Sequence, residues 1–131
     1  MKIDSVKQHI DQSAAKVYGL IADCSNLAKI SSDRMTVASV SETACKIEVQ
    51  GMPPISFERI EAVPYTKVAY RTDYQNATIT FFIEEIAENA CEIYLSFEGD
   101  MPFFAASLLK GPLKNAADTI VGKLRTVCEA I

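Results

Sequence analysis

Alternating apolar residues joined by short turns place the strongest constraint on how this chain can fold. From Met35 to Phe97, apolar residues recur at every second position in about six stretches, the period of a β-strand. Turn-forming residues separate the stretches at Ser41-Glu42-Thr43, Gly51-Met52-Pro53-Pro54, Pro64-Tyr65-Thr66, Gln75-Asn76 and Glu88-Asn89. Because such short connections leave no room for helical crossovers, the pattern predicts an antiparallel sheet.

The C-terminal part of the chain has a helical period instead. One stripe carries Leu109, Leu113, Ala116, Ala117, Ile120, Leu124, Val127, Cys128 and Ile131. Gly111-Pro112 lies within this pattern, so either the main helix begins at Pro112 and runs to Ala130, or one longer helix kinks there. This amphipathic helix has the largest apolar surface available to cover one face of the sheet.

The N-terminal segment predicts a strand followed by helices. Residues Lys2 to Ile10 alternate weakly, as a strand does. Ser13 is placed to cap a short helix from Ala14 to Ala22, and Leu27 to Ile30 predicts a further helical turn after an interruption. We therefore predict an α+β fold in which a curved, seven-stranded antiparallel sheet grips a long C-terminal helix, with two short helices after strand one.

Composition and charge narrow the class of protein. The chain has 131 residues, of which 49% are hydrophobic and 23% charged, as expected for a single globular domain over residues 1–131. Its net charge of −4 provides no positive field for nucleic acid or anionic lipid. The longest mostly apolar stretch, Met101 to Leu109, is too short to span a membrane, and the charged N-terminus does not resemble a signal peptide. We expect a cytoplasmic protein that is a monomer or a homodimer.

The cysteines predict neither a metal site nor a redox motif. Cys24, Cys45, Cys91 and Cys128 are widely spaced, without a C-x-x-C pair, and His9 is the only histidine. In a cytoplasmic chain we expect reduced thiols that fill the core, although two disulfides remain the alternative. No metal and no other cofactor is expected.

Two segments carry a resemblance to a known superfamily. The run from Ile10 to Asp23, with its small residues, Val17-Tyr18, Leu20 and Asp23, is similar to the first strand and helix of START-like proteins. Gly111-Pro112-Leu113 within an amphipathic helix is a second point of similarity. The order of elements along the whole chain also resembles this superfamily, which is called Bet v 1-like, polyketide cyclase-like or SRPBCC as well.

The resemblance implies the helix-grip fold but leaves function open, because the group includes lipid carriers, hormone receptors, cyclases, hydrolases and co-chaperones. We expect the chain to bind a small hydrophobic or amphipathic molecule, lipid-like or aromatic, in a cavity between the sheet and the C-terminal helix. The alternatives are a cyclase- or hydrolase-type enzyme that uses the same cavity, and a co-chaperone-like interaction module. Tight hairpins also leave open a small or filled interior.

The predicted ligand-binding set combines aromatic strand residues with residues of the last helix, since aromatic walls offer apolar ligands a large contact area. The set is Phe57, Tyr70, Phe81, Tyr94, Phe104, Leu108, Leu113 and Ala117. Among these, Tyr70 and Tyr94 are of special interest because a buried hydroxyl group needs a partner that a ligand can supply. No catalytic residue is predicted.

Four other features have a structural and a functional interpretation. Arg59 and Glu61 alternate with Phe57 and either project inward to anchor a polar head group or face solvent, and Arg71 on the next strand has the same two interpretations if its register is shifted. Phe82 breaks the alternation and either contacts a partner subunit or marks a bulge or shielded edge. Met101-Pro102-Phe103-Phe104 either forms an apolar loop that gates a cavity or touches a membrane surface, or forms a hydrophobic staple or buried start to the helix. His9 has no nucleophile placed beside it, so the sequence gives no basis for catalysis there.

Overall fold

The computed structural model describes residues 2–23, 26, 35–41, 43–49, 54–73, 76–100 and 103–130. The strands are β1 (Lys2–Asp4), β2 (Gln8–Ile10), β3 (Met35–Val40), β4 (Ala44–Val49), β5 (Ile55–Val63), β6 (Lys67–Thr72), β7 (Thr78–Ala87) and β8 (Ala90–Glu98). The helices are α1 (Ala14–Ala22) and α2 (Phe103–Glu129). The second short helix predicted at Leu27 to Ile30 lies outside the described residues.

All strands belong to one antiparallel sheet in the order β1-β8-β7-β6-β5-β4-β3, with β2 also paired to β8. The meander follows from the short turns, because each strand from β3 to β8 pairs with its neighbour in sequence. Since β1 and β2 are successive parts of one interrupted edge strand, the architecture is the predicted curved, seven-stranded sheet.

The interruption between β1 and β2 is a correction to the continuous strand predicted from Lys2 to Ile10. Asp4 pairs with Ser96 and Gln8 with Ile93, so the edge strand has one more residue than its partner, as in a β-bulge. Ser5 fills the break: its amide donates to the Leu95 carbonyl at 2.7 Å, and its Oγ accepts from the Leu95 amide at 2.8 Å. The backbone of β8 therefore keeps its hydrogen bonds across the break.

The helix α1 begins and ends where the sequence predicts. The Ser13 hydroxyl oxygen accepts a hydrogen bond from the Lys16 amide at 3.2 Å, as an N-cap residue should. One face of the helix is buried, namely Ala14, Val17, Leu20, Ile21 and Ala22. This face packs against β6 and β7.

The helix α2 is the longer of the two predicted alternatives, since it runs continuously through Pro112. Its 27 residues span about 40 Å. Buried residues on α2 are spaced by four, three and four positions at Ala117, Val121, Leu124 and Cys128, and α2 packs against β1, β2 and β8. Phe103 and Phe104 lie in the first turn of this helix rather than in a loop, while Met101 and Pro102 lie outside the described residues.

Candidate functional site

The inner face of the sheet, which packs against the helices, is not uniformly buried. On β8 and β6 its side chains are almost completely buried, as Ile93 and Val68 show. On β5 the side chains of Ile55 and Phe57 stay partly exposed, although Phe57 lies opposite the buried Cys45 and Thr72. The inner face of β5 thus carries apolar surface that is only partly covered, next to the buried Cys45 on β4. We call Cys45, Ile55, Phe57 and Arg59 the β4–β5 wall.

Two side chains of neighbouring strands bind the C-terminal end of α1. Arg59 on β5 lies directly opposite Tyr70 on β6, so both project from the inner face. The Tyr70 hydroxyl donates to the Ile21 carbonyl at 2.6 Å, and the Arg59 guanidinium donates to the Ala22 carbonyl at 2.6 Å. The last carbonyls of a helix lack partners within the helix, so this pair satisfies two groups that need donors. The partner of the buried Tyr70 hydroxyl is therefore the protein itself.

A β-bulge explains why Arg59 and Glu61 differ although both alternate with Phe57 in the sequence. Arg59 pairs with Tyr70 but Glu61 pairs with Ala69, so Ile60 is an extra residue on β5. The bulge reverses the alternation, and Glu61 projects from the outer face, where it forms an ion pair with Lys67. Only Arg59 of this pair projects into the interior. Arg71, opposite Glu58 and Thr78, also lies on the outer face.

The structure brings part of the predicted ligand-binding set together. Tyr70 is 1% exposed and meets Phe81 edge to face, with ring centroids 6.2 Å apart. Phe57 and Leu113 are partly buried against the core, and Ala117 is buried on α2. Cys45 and Ile55 belong to the same wall although they were not in the predicted set. Their place in the alternation of β4 and β5 was the available signal.

Tyr94 does not lie with this group. On β8 the buried residues Cys91, Ile93, Leu95 and Phe97 alternate with it, so Tyr94 projects from the outer face. There it stacks on Phe82, with centroids 4.8 Å apart, and the Lys7 ammonium lies 5.7 Å from the Tyr94 ring centroid. This stack also accounts for Phe82, which sits directly opposite Tyr94 in a regular part of the ladder rather than at a bulge.

Leu108 and Phe104 cannot be assigned to the β4–β5 wall either. The Leu108 side chain is 76% exposed, because it lies off the buried stripe of α2. Phe104 belongs to the first turn of α2, and its side chain lies outside the described part of the structure. The predicted set therefore divides into three inner-face strand residues, two residues of α2 that pack on the core, the outer-face Tyr94, the exposed Leu108, and Phe104, whose side chain is not described.

The four polar residues considered for an enzyme site, His9, Arg59, Glu61 and Tyr94, do not converge in the structure. The His9 ring lies 2.8 Å from the Asp11 carboxylate in an exposed pair, and His9 lies opposite Glu92 on the outer face. Glu61 and Tyr94 also lie on the outer face, so only Arg59 is inside. Among the residues that the structure describes, no cluster of three or more His, Cys, Asp or Glu side chains is suited to hold a metal ion.

The described thiols are core residues. Cys45, Cys91 and Cys128 are buried and free of disulfides, while Cys24 lies outside the described residues. Burial raises the pKa of Cys128 to about 11, with smaller contributions from Cys91 and Glu129. Burial also raises the pKa of Cys91, with a further contribution from Glu85. Thiols held in the neutral form are poor nucleophiles and poor metal ligands.

A polar cavity of about 330 Å³ opens at one end of the sheet, away from the β4–β5 wall. It is lined by Lys2, Asn76, Thr78, Glu98, Gly99 and Asp100. Lys2, Glu98 and Thr78 form one cross-strand row on the outer face. Its lining carries both signs of charge, and it is separate from the predicted space between sheet and helix.

Sequence comparison gives no match, either to a protein-family model or to a curated protein. Solved structures give clear matches. A conserved protein from Geobacillus kaustophilus is 13% identical, with a TM-score of 0.73, over 99% of this chain and 96% of its own. An AHSA1-like protein from Aeromonas hydrophila is 13% identical, with a TM-score of 0.72, over 99% of this chain and 93% of its own. DynU16, from the dynemicin biosynthetic locus, is 13% identical, with a TM-score of 0.71, over 98% of this chain and 47% of its own.

These similarities extend over nearly the whole chain, and at such low identity they bear on the fold alone. Within the described ranges, neither helix combines the length and the apolar character that a transmembrane helix needs. The topology and the matches together confirm the predicted fold: the chain has the α+β helix-grip fold, which START-like, or Bet v 1-like, proteins also have.

Proposed function

We propose that this protein binds a small hydrophobic or amphipathic molecule between the sheet and α2, with the β4–β5 wall as one side of the site. The observation that carries the proposal is the partial exposure of Ile55 and Phe57 on the face where Val68 and Tyr70 are buried. Apolar side chains on the inner face of a sheet gain free energy when a ligand removes them from water.

The position of the two helices supports this location. The helix α1 packs on β6 and β7, and the described contacts of α2 are with β1, β2 and β8 at the other end of the sheet. Arg59 of the wall binds the Ala22 carbonyl at the end of α1, and Ile55 and Phe57 remain partly exposed beside it. An aromatic ring such as Phe57 offers a flat, rigid surface to an apolar ligand at small cost in side-chain entropy.

Binding of a neutral fluorescent probe, N-phenyl-1-naphthylamine, tests the proposal. Its fluorescence rises when it leaves water for an apolar site, so a saturable increase gives a dissociation constant. In Phe57→Ala we expect affinity to fall by about tenfold, the effect of losing on the order of 1.4 kcal/mol of apolar contact. Phe82→Ala is the matched control, because Phe82 is also a half-buried strand phenylalanine but lies on the outer face.

Two results would count against the proposal. One is a probe that shows no saturable signal with the unmodified protein, together with native mass spectra that contain only the bare chain after purification. The other is equal loss of affinity in Phe57→Ala and Phe82→Ala, since a general loosening of the fold affects both variants alike. Circular dichroism of each variant establishes that the comparison is made between folded proteins.

A further inference from the structure

Arg59 is the one charged residue that the described part of the β4–β5 wall contains. Its side chain is partly buried and projects from the inner face opposite Tyr70. A guanidinium group carries five N–H donors in a planar fork. One nitrogen of Arg59 donates to the Ala22 carbonyl, which is a neutral partner. The contact satisfies the helix end, and among the described residues no ion pair with Arg59 is found.

The carboxylates near Arg59 along the chain project away from it. Glu58 is the preceding residue on a strand and so faces outward, opposite Arg71, and the bulge at Ile60 turns Glu61 outward as well. The ion pairs between described residues join other side chains, such as Lys67 with Glu61 and Lys114 with Asp118. A charge in a partly dehydrated apolar setting favours the approach of an anion, because pairing offsets the cost of desolvation.

We infer that Arg59 binds an acidic head group and that the ligand is therefore an apolar acid, with a carboxylate at Arg59 and its hydrocarbon body along Phe57 and Ile55. This inference rests on the proposed function and specifies the class of ligand. Arginine suits the role because its fork matches the two oxygens of a carboxylate. The contact with Ala22 holds the guanidinium in place before the ligand arrives, which reduces the entropy lost on binding.

The competing explanation is that Arg59 serves only to cap α1. In that case its replacement lowers stability but does not change which ligands bind. The two explanations therefore differ in ligand preference, a property that a purely structural residue does not control.

Displacement of N-phenyl-1-naphthylamine by dodecanoate, dodecan-1-ol and dodecylamine separates them, since the three compounds share one chain and differ in head-group charge. For the unmodified protein near neutral pH we expect dodecanoate to bind roughly tenfold or more tightly than dodecan-1-ol, and dodecylamine to bind most weakly. In Arg59→Gln the preference for dodecanoate should disappear while dodecan-1-ol binds as before. Arg71→Gln is the control, because Arg71 follows Tyr70, the residue opposite Arg59, and projects from the outer face of the sheet.

Each outcome is decisive. Equal affinity for dodecanoate and dodecan-1-ol, or a preference that persists in Arg59→Gln, overturns the inference but leaves apolar binding intact. Failure of all three compounds and of the probe itself overturns the proposed function, and the inference with it. If Arg59→Gln does not fold, Arg59→Lys keeps the charge but loses the fork. We then expect a reduced preference for dodecanoate, and an unchanged preference contradicts the inference.

Discussion

Replacement of Tyr70 by Phe removes one hydroxyl group and leaves the ring that packs against Phe81. The hydroxyl donates to the Ile21 carbonyl at 2.6 Å, and both residues are almost completely inaccessible to water. After the replacement, the carbonyl is left in a buried setting without this donor. A buried polar group that loses its partner costs about 2 kcal/mol of folding free energy.

That cost translates into a measurable shift in melting temperature. With an unfolding entropy of about 2.1 cal/mol/K per residue, a chain of 131 residues has about 275 cal/mol/K at its midpoint. A loss of about 2 kcal/mol therefore lowers the melting temperature by about 7 °C. Thermal unfolding followed by circular dichroism gives the shift, and urea denaturation gives the free energy independently.

Tyr94→Phe is the matched control for this measurement. Tyr94 is also a strand tyrosine, but it stacks on Phe82 at the outer face, where water can solvate a hydroxyl group. We expect its replacement to change stability by less than about 0.5 kcal/mol, the usual range for surface substitutions. If Tyr70→Phe is no more destabilising than Tyr94→Phe, the hydrogen bond to α1 does not stabilise the fold, and the argument from capping is wrong.

Three further predictions concern α2. Leu124→Ala should lower the free energy of unfolding by about 3 kcal/mol, because it leaves a cavity at a completely buried position. Leu108→Ala should leave the free energy of unfolding nearly unchanged, because Leu108 is exposed. Equal denaturation midpoints for the two variants would contradict the assigned helix faces. The Asp118 carboxylate accepts a hydrogen bond from the Val6 amide, and this bond together with Lys114 lowers the pKa of Asp118 below 3.8. Asp118→Asn should therefore have a lower free energy of unfolding than the unmodified protein at neutral pH. The difference in free energy should fade as the pH falls through the lowered pKa, which urea denaturation at several pH values can measure. The raised pKa of Cys128 means that stability should decline between pH 9.0 and about 11, where the unfolded chain ionises first, and Cys128→Ala should show a smaller decline.

The strands and α1 could be predicted because their signals are local. Alternation defines β7 and β8, and Ser13 marks the start of α1 by a hydrogen bond to a residue three positions away. The same alternation puts Tyr94 and Leu95 on different faces of the sheet, and the apolar stripe of α2 does not include Leu108. Stricter use of these two periods would have kept both residues out of the predicted site.

Other features depend on contacts between distant parts of the chain, so the sequence alone could not reveal them. The bulge at Ile60, which separates Arg59 from Glu61, is defined only by the pairing of β5 with β6. The hydrogen bond from Arg59 to Ala22 joins residues 37 positions apart. The break at Ser5 likewise depends on its partner, Leu95. These are the contacts that decide which polar groups face the interior.

The interrupted edge strand also has a consequence for synthesis of the chain on the ribosome. Its β1 and β2 parts pair only with β8, and the Val6 and Asp11 amides are bound by Asp118 and Glu129 of α2. These two strands must therefore wait until almost all of the described chain has been translated before they find their partners. Such distant pairing slows folding, and β1 and β2 stay unpaired until β8 has been made. During that interval the unpaired edges of β1 and β2 are open to aggregation.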